Sequence, residues 1–139
     1  MALYVLDTDH LSLILRGHPN IRERLTQFRP EQIAITIVTA EEQLRGRLAQ
    51  VNRAVKGDMR VTAYRYLHKA ISDLAKLDIL DYDRESDHIY QQLKRQGIRV
   101  GSQDLRIAAI ALANHAIVAT RNHSDFGRVP GLTVEDWTK

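Results

Sequence analysis

Six oxygen-bearing side chains sit where chain direction changes after short apolar runs: Asp7, Asp9, Glu42, Asp104, Asn122 and Asp125. Carboxylates gathered at this density repel one another unless cations join them. An all-oxygen donor set favours hard divalent ions such as Mg²⁺ or Mn²⁺. Such ions clamp phosphoryl oxygens and lower the pKa of bound water, which suits phosphodiester hydrolysis. Other chemistries lack their parts. The chain has no cysteine, so disulfides, thiolate metal sites and thiol nucleophiles are excluded. Histidines 10, 18, 68, 88, 115 and 123 are scattered, with no H-E-x-x-H pair for zinc. His10 and His123 lie near the acids and are candidates for substrate contact. Neither G-x-x-x-x-G-K-[ST] nor G-x-G-x-x-G occurs.

Each acid also has a purely structural explanation. Asp9 can cap the helix that follows it. Thr39-Ala-Glu-Glu42 fits the S/T-x-x-E capping box. Asp104, in a first helical turn, is favoured by the helix dipole. Asp125 can cap a short turn. Asp78, Asp81 and Asp83 serve as a control, being an acidic group around a strand that solvation and capping explain.

The elements that must carry these residues follow from pattern. Ala2–Leu6 and Gln32–Val38 read as strands, as do Leu77–Leu80, Ala116–Thr120 and a short Leu132–Val134. Between them lie helices over Leu11–Leu15 and Asn20–Phe28, the latter opened by an Asn20/Glu23 capping box. Thr39–Arg53, Arg60–Ala75, Arg84–Gln96 and a buried helix capped by Ser102 complete the set. Alternating strands and helices predict a parallel sheet covered on both faces. Ligands of such folds bind beyond the carboxyl ends of the strands, where these acids fall.

At 139 residues the chain predicts one domain over 1–139, with enough apolar residues (44%) for a core. The N-terminus has the features of neither a signal peptide nor a membrane span, so a soluble cytoplasmic protein is expected. Net charge is +3 and the pI about 9.4. Eight basic residues lie between Leu44 and Lys76, opposed only by Asp58 and Asp73. They suit either an RNA backbone or two solvated helix faces. Arg121 and Arg128, nearer the acids, are further candidates for phosphate charge.

Three stretches carry a family resemblance. VLDTDHLSLILRGHPNIRERL looks like the opening of a PIN domain of the VapC toxin type. ITIVTAEEQLRG resembles that group's second motif, and VGSQDLRIAAIALANHAIVATRNHSDFGRVPGLTVEDW its third and fourth motifs with the C-terminus. The resemblance implies a three-layer α/β/α fold with a central parallel sheet in the order 3-2-1-4-5. It implies an acidic quartet, Asp7, Glu42, Asp104 and Asp125, holding Mg²⁺ or Mn²⁺, with Thr8, Thr39, Ser102, Thr120 and Asn122 in support. It further implies endoribonuclease activity, a homodimer, and a small DNA-binding antitoxin as partner. Two departures stand out. The first motif often reads D-T-N, and here Asp9 supplies a fifth acid. In the second, Glu41 adjoins Glu42; about 100° apart on a helix, only one faces the site. At the fourth acid, Asn122 can share the role of Asp125.

Two other functions are open. Strand-D-x-D, as VLDTDH, resembles the nucleophile motif of haloacid-dehalogenase phosphatases, with Asp7 attacking phosphate. Too little chain follows Thr120 for the lysine and acids expected next. The remaining alternative is a PIN fold acting only as a binding module.

Overall fold

The strands are short and their register matters more than their length. A computed structural model describes residues 1–139. Its strands are β1 (Tyr4–Leu6), β2 (Ile33–Thr36), β3 (Ile79–Leu80), β4 (Ile117–Ala119) and β5 (Thr133–Glu135). They form one parallel sheet in the order β3-β2-β1-β4-β5, as the family resemblance implied. Leu6 stands opposite Ala119, and Ala119 opposite Glu135. The ladder continues one residue further, with the Asp7 amide donating to Ala119 (3.1 Å) and the Thr120 amide to Glu135 (2.8 Å). Asp7 and Thr120 therefore leave the sheet side by side.

Alternation along the strands sorts side chains into two cores. Val5 and Val118 join the core beneath α5 (Arg84–Arg95) and α6 (Ser102–Ala113), which also takes in Phe126 and Val129. Leu6, Ile35 and Ala119 point the other way. They pack with Leu11 of α1 (Thr8–Leu15), Ile21 of α2 (Pro19–Leu25), Leu74 of α4 (Gly57–Ala75) and Trp137. The layers are thus helix, sheet, helix. Helix α3 (Ile37–Arg53) leaves β2 directly and packs along α4, while α7 (His123–Phe126) is a single turn beyond β4. Helix α6 buries Leu105 and every residue from Ile107 to Ala111, so its N-terminal turn is held rigidly at the sheet's carboxyl edge.

Several helix starts differ from expectation, in each case because a neighbouring residue caps. Asp7 rather than Asp9 caps α1, which begins at Thr8. His18 caps α2 with Pro19 at its first position, so the Asn20/Glu23 box does not form and the helix stops at Leu25. Asn20 instead donates to the Thr138 carbonyl at 2.7 Å. Thr36 caps α3 by accepting from the Thr39 amide at 3.2 Å. That turns Ile37 and Val38, expected in a strand, into the first helical turn. Helix α4 starts at Gly57, three residues before the expected Arg60. Gly101, not Ser102, occupies the cap position of α6, and Ser102 is the first helical residue. At the other ends, Gly17 (φ 83°) and Gly97 (φ 73°) take the left-handed conformation that closes α1 and α5.

Candidate active site

The carboxyl ends of β1 and β4 deliver Asp7 and Thr120 to one point. Asp7 is 5% exposed. One of its oxygens accepts from the His10 amide (2.8 Å) and the other from the Thr120 hydroxyl (2.5 Å). Thr120 Oγ1 in turn accepts from the Asn122 amide at 2.8 Å. Burial pushes the Asp7 carboxyl up to about 6 despite these hydrogen bonds, and the charges of Asp9 and Asp104 add to the rise.

Asp104, in the first turn of α6, is the hub. It is one of the charges raising Asp7, and its own carboxyl is raised first by burial and then by Glu42 and Asp125. Asp104 thus lies within electrostatic reach of each of the other three acids. Asp7, Asp104 and Asn122 line an open depression together with Thr8, Asp9, Ser12 and Arg121; no apolar residue lines it.

Glu42 lies in the second turn of α3, because capping at Thr36 shifts the helix start back. The Thr39–Glu42 capping box is not formed. Glu42 accepts instead from Thr8 Oγ1 at 2.7 Å, and that hydroxyl also lies 3.3 Å from Thr39 Oγ1. Glu41 turns away to Arg45 (2.7 Å) and Gln103 (3.1 Å). Asn122 caps α7, accepting from the Asp125 amide at 3.3 Å, and its Nδ2 donates to Asp125 at 3.0 Å. Asp125 is thus held by the cap rather than serving as one. Arg128 donates to the Arg99 carbonyl (2.9 Å) and stands 3.9 Å from Asp125.

Two residues behave otherwise than expected. Asp9 neither caps α1 nor stands free. Both its oxygens accept from Arg121, from Nε and Nη2, each at 2.7 Å. His10 is fully buried, so it does not meet a substrate. Its Nε2 accepts from the Trp137 amide at 3.1 Å, which places the ring proton of the neutral imidazole on Nδ1. That nitrogen has no hydrogen-bond partner; it lies 3.7 Å from Asp7 and 4.0 Å from Asp9. Asp7, Asp9 and His10 offer donor atoms within 4.8 Å of one another. A protonated Nδ1 cannot ligate, however, so the histidine buttresses the carboxylates from behind. No sequence signal marks this role, which depends on the C-terminal segment folding back across α1. His123, at the start of α7, is exposed.

The donor set fits a hard divalent cation. Asp7 and Asp104 both carry raised carboxyls, so negative charge in the cluster is uncompensated by the protein. The one cation lining the depression, Arg121, is engaged with Asp9.

A PIN domain family model matches residues 4–132. The chain belongs to the PIN domain family. Over 143 residues it is 32% identical to the tRNA(fMet)-specific endonuclease VapC of Shigella flexneri, covering 99% of this chain and 100% of the relative. Ribonuclease VapC1 of Haemophilus influenzae (strain R2866) is 28% identical over 144 residues, with 99% of each chain covered. Among solved structures, a DNA-bound VapBC from Salmonella typhimurium superposes with a TM-score of 0.79 at 28% identity, covering 99% of both chains. VapBC-1 from nontypeable Haemophilus influenzae gives 0.78 at 25%, again over 99% of both. This membership displaces the haloacid-dehalogenase reading.

Proposed function

We propose that this PIN domain, residues 1–139 acting as one unit, is a metal-dependent endoribonuclease and the toxin of a toxin–antitoxin pair. The observation that carries the proposal is the position of Asp104: it lines one open depression with Asp7, and the charges of Glu42 and Asp125 add to the rise that burial imposes on its carboxyl. These acids come from four separate places in the chain, and although Asp7 also caps α1, capping accounts for neither Glu42 nor Asp104.

In this reading Asp7, Glu42, Asp104 and Asp125 hold Mg²⁺, with Mn²⁺ able to replace it. When bound, the metal supplies Lewis-acid activation of water and stabilises charge on the phosphate and leaving oxygen. The protein's own groups do the positioning. Thr120 holds one Asp7 oxygen and the α1 backbone the other, so that carboxylate presents its free lone pairs to the depression. Thr8 orients Glu42, with Thr39 beside it. Asn122 fixes Asp125. Ser102, proposed from the family motif as a supporting residue, is the first residue of α6, two positions before Asp104, and does not cap the helix. Hydrolysis through this arrangement leaves a 5′-phosphate.

The two solved relatives named above are VapBC complexes, the Salmonella one bound to DNA, which supports a small antitoxin as partner; a homodimer and a cytoplasmic location go with that reading. No helix is long and apolar enough to cross a membrane. The Shigella relative is a tRNA(fMet)-specific endonuclease, which makes tRNA(fMet) the first RNA to try.

The test is incubation of total RNA and of tRNA(fMet) with purified protein in Mg²⁺, Mn²⁺ or EDTA, beside Asp104→Ala. Metal-dependent cuts that vanish in the variant are expected. Cuts persisting in EDTA or in a folded Asp104→Ala protein overturn the site. Mn²⁺ binding without any cleavage returns the domain to the binding-module class.

A further inference from the structure

The fifth acid remains without a role in the quartet, and its geometry supplies one. Asp9 sits in the first turn of α1, two residues after Asp7. Arg121 follows Thr120 at the end of β4. Because β1 and β4 are neighbours in register, the pair meets directly beside the Asp7–Thr120 hydrogen bond. The contact is a fork: Nε and Nη2 of Arg121 reach the two oxygens of Asp9, each at 2.7 Å. This uses two of the five guanidinium N–H groups. The Arg121 side chain has no other hydrogen-bond acceptor in the protein, and its remaining donors stand at the edge of a depression it lines with Asp7, Asp104 and Asn122.

Stability does not account for this pair. Both side chains are about half exposed, at 52% and 43%, and exposed ion pairs contribute little to folding. Metal ligation does not account for Asp9 either. Both its oxygens face a guanidinium, whose charge repels a neighbouring divalent ion and already neutralises the carboxylate. What the fork does achieve is orientation. A free arginine must lose rotamer freedom to meet a phosphate, whereas one already held by a carboxylate has lost it. The depression also has no other cation, and a phosphodiester entering among carboxylates needs directional donors for its non-bridging oxygens.

We propose that Arg121 contacts the phosphate being cleaved and that Asp9 is its positioning residue, not a fifth metal ligand. This rests on the nuclease reading above and deepens it. Buried His10 lies against the same carboxylate, 4.0 Å from Asp9, and limits where it can move.

The test compares the full-length wild type with Arg121→Ala, Arg121→Lys, Asp9→Asn and the Asp9→Asn/Arg121→Ala double variant, after circular dichroism has shown that each folds. Two quantities are read: Mn²⁺ affinity by calorimetry, and kcat and KM on an RNA that the wild type cuts. Arg121→Ala is expected to lower kcat by about 10²-fold, the usual loss for one transition-state donor. Arg121→Lys, which keeps charge but not the fork, should lower it about 10-fold. Asp9→Asn should lower kcat by a similar factor and leave Mn²⁺ affinity within about 3-fold. The double variant should be no worse than Arg121→Ala, since residues acting as a unit are non-additive. A drop of more than about 10-fold in Mn²⁺ affinity for Asp9→Asn would make Asp9 a ligand and overturn the proposal. So would full activity in Arg121→Ala, or multiplicative losses in the double variant. A wild type that cuts no RNA sinks the nuclease reading and this one together; a cutting wild type with unaffected variants sinks this one alone.

Discussion

Asp7→Asn should stabilise the metal-free protein and abolish its response to metal. Asp7 ordinarily titrates at 3.8 and is raised to about 6 in the fold, chiefly by burial. The folded state therefore holds this proton more tightly than the unfolded state. The associated stability is complete below about pH 3.8 and is lost as pH rises through about 6. A shift of about two units corresponds to roughly 3 kcal/mol. At pH 8 in EDTA, asparagine mimics the protonated acid and recovers part of this. The part lost is the hydroxyl donation from Thr120, which no longer meets a carboxylate, so a net gain of about 1–2 kcal/mol is expected. For a domain of this size that raises Tm by about 3–7 °C. Mn²⁺ at about 100 times its dissociation constant should stabilise the wild type by about 2.7 kcal/mol and the variant by almost nothing. The assay is a thermal melt of both proteins at pH 8 and about pH 4.5, with and without Mn²⁺. At the lower pH most wild-type Asp7 is protonated and the gap should close. A variant less stable than wild type at pH 8 in EDTA, or a gap independent of pH, would refute the claim that Asp7 is a desolvated charge awaiting a cation.

Adjacent glutamates on α3 should part company. Glu42→Gln is expected to weaken Mn²⁺ binding by at least about 10-fold, while Glu41→Gln, facing Arg45 and Gln103, leaves the isotherm unchanged. Equal losses would mean that α3 is rotated from the orientation seen. Trp137→Ala should cost about 3–5 kcal/mol in urea denaturation, since the indole is buried and stacks on Phe28 at 5.3 Å. A cost below about 1 kcal/mol would show that the C-terminal segment is not packed in solution. Thr36→Ala should remove about 1–2 kcal/mol through loss of the α3 cap, and an unchanged denaturation midpoint would place the cap elsewhere.

The strands, and the placing of acids at their ends, were legible because each depends on local pattern. Apolar runs of strand length stand just before Asp7 and Arg121, and a helix apolar on most sides follows Ser102. The family motifs supplied the strand order and the choice of four acids among six candidates, neither of which composition and periodicity contain. Helix starts were less legible because capping rules are degenerate over two or three residues. Asp7 and Asp9 both satisfy the rule for α1, as Thr36 and Thr39 do for α3. The tie is broken by where the strand's last ladder hydrogen bond falls: the Asp7 amide still pairs with Ala119, so Asp7 ends the strand and caps the helix at once.

That tie-break decides chemistry as well as boundaries. Had Thr39 capped α3, Glu42 would have bonded its own helix terminus. With Thr36 as cap, Glu42 is released into the second turn, where Thr8 meets it at 2.7 Å. Had Asp9 capped α1, its carboxylate would have been spent on a backbone amide; with Asp7 in that place, Asp9 is free to hold Arg121. The site thus arises from choices between caps two and three residues apart at two helix starts. Asp9 and Arg121 are 112 residues apart and meet only because β1 and β4 pair with Leu6 opposite Ala119. A register one residue out would turn Thr120 to the other face of the sheet and break its bond to Asp7. The same pairing that builds the core therefore sets the geometry of the acids, and mutations that loosen β1 against β4 should weaken metal binding before they unfold the domain.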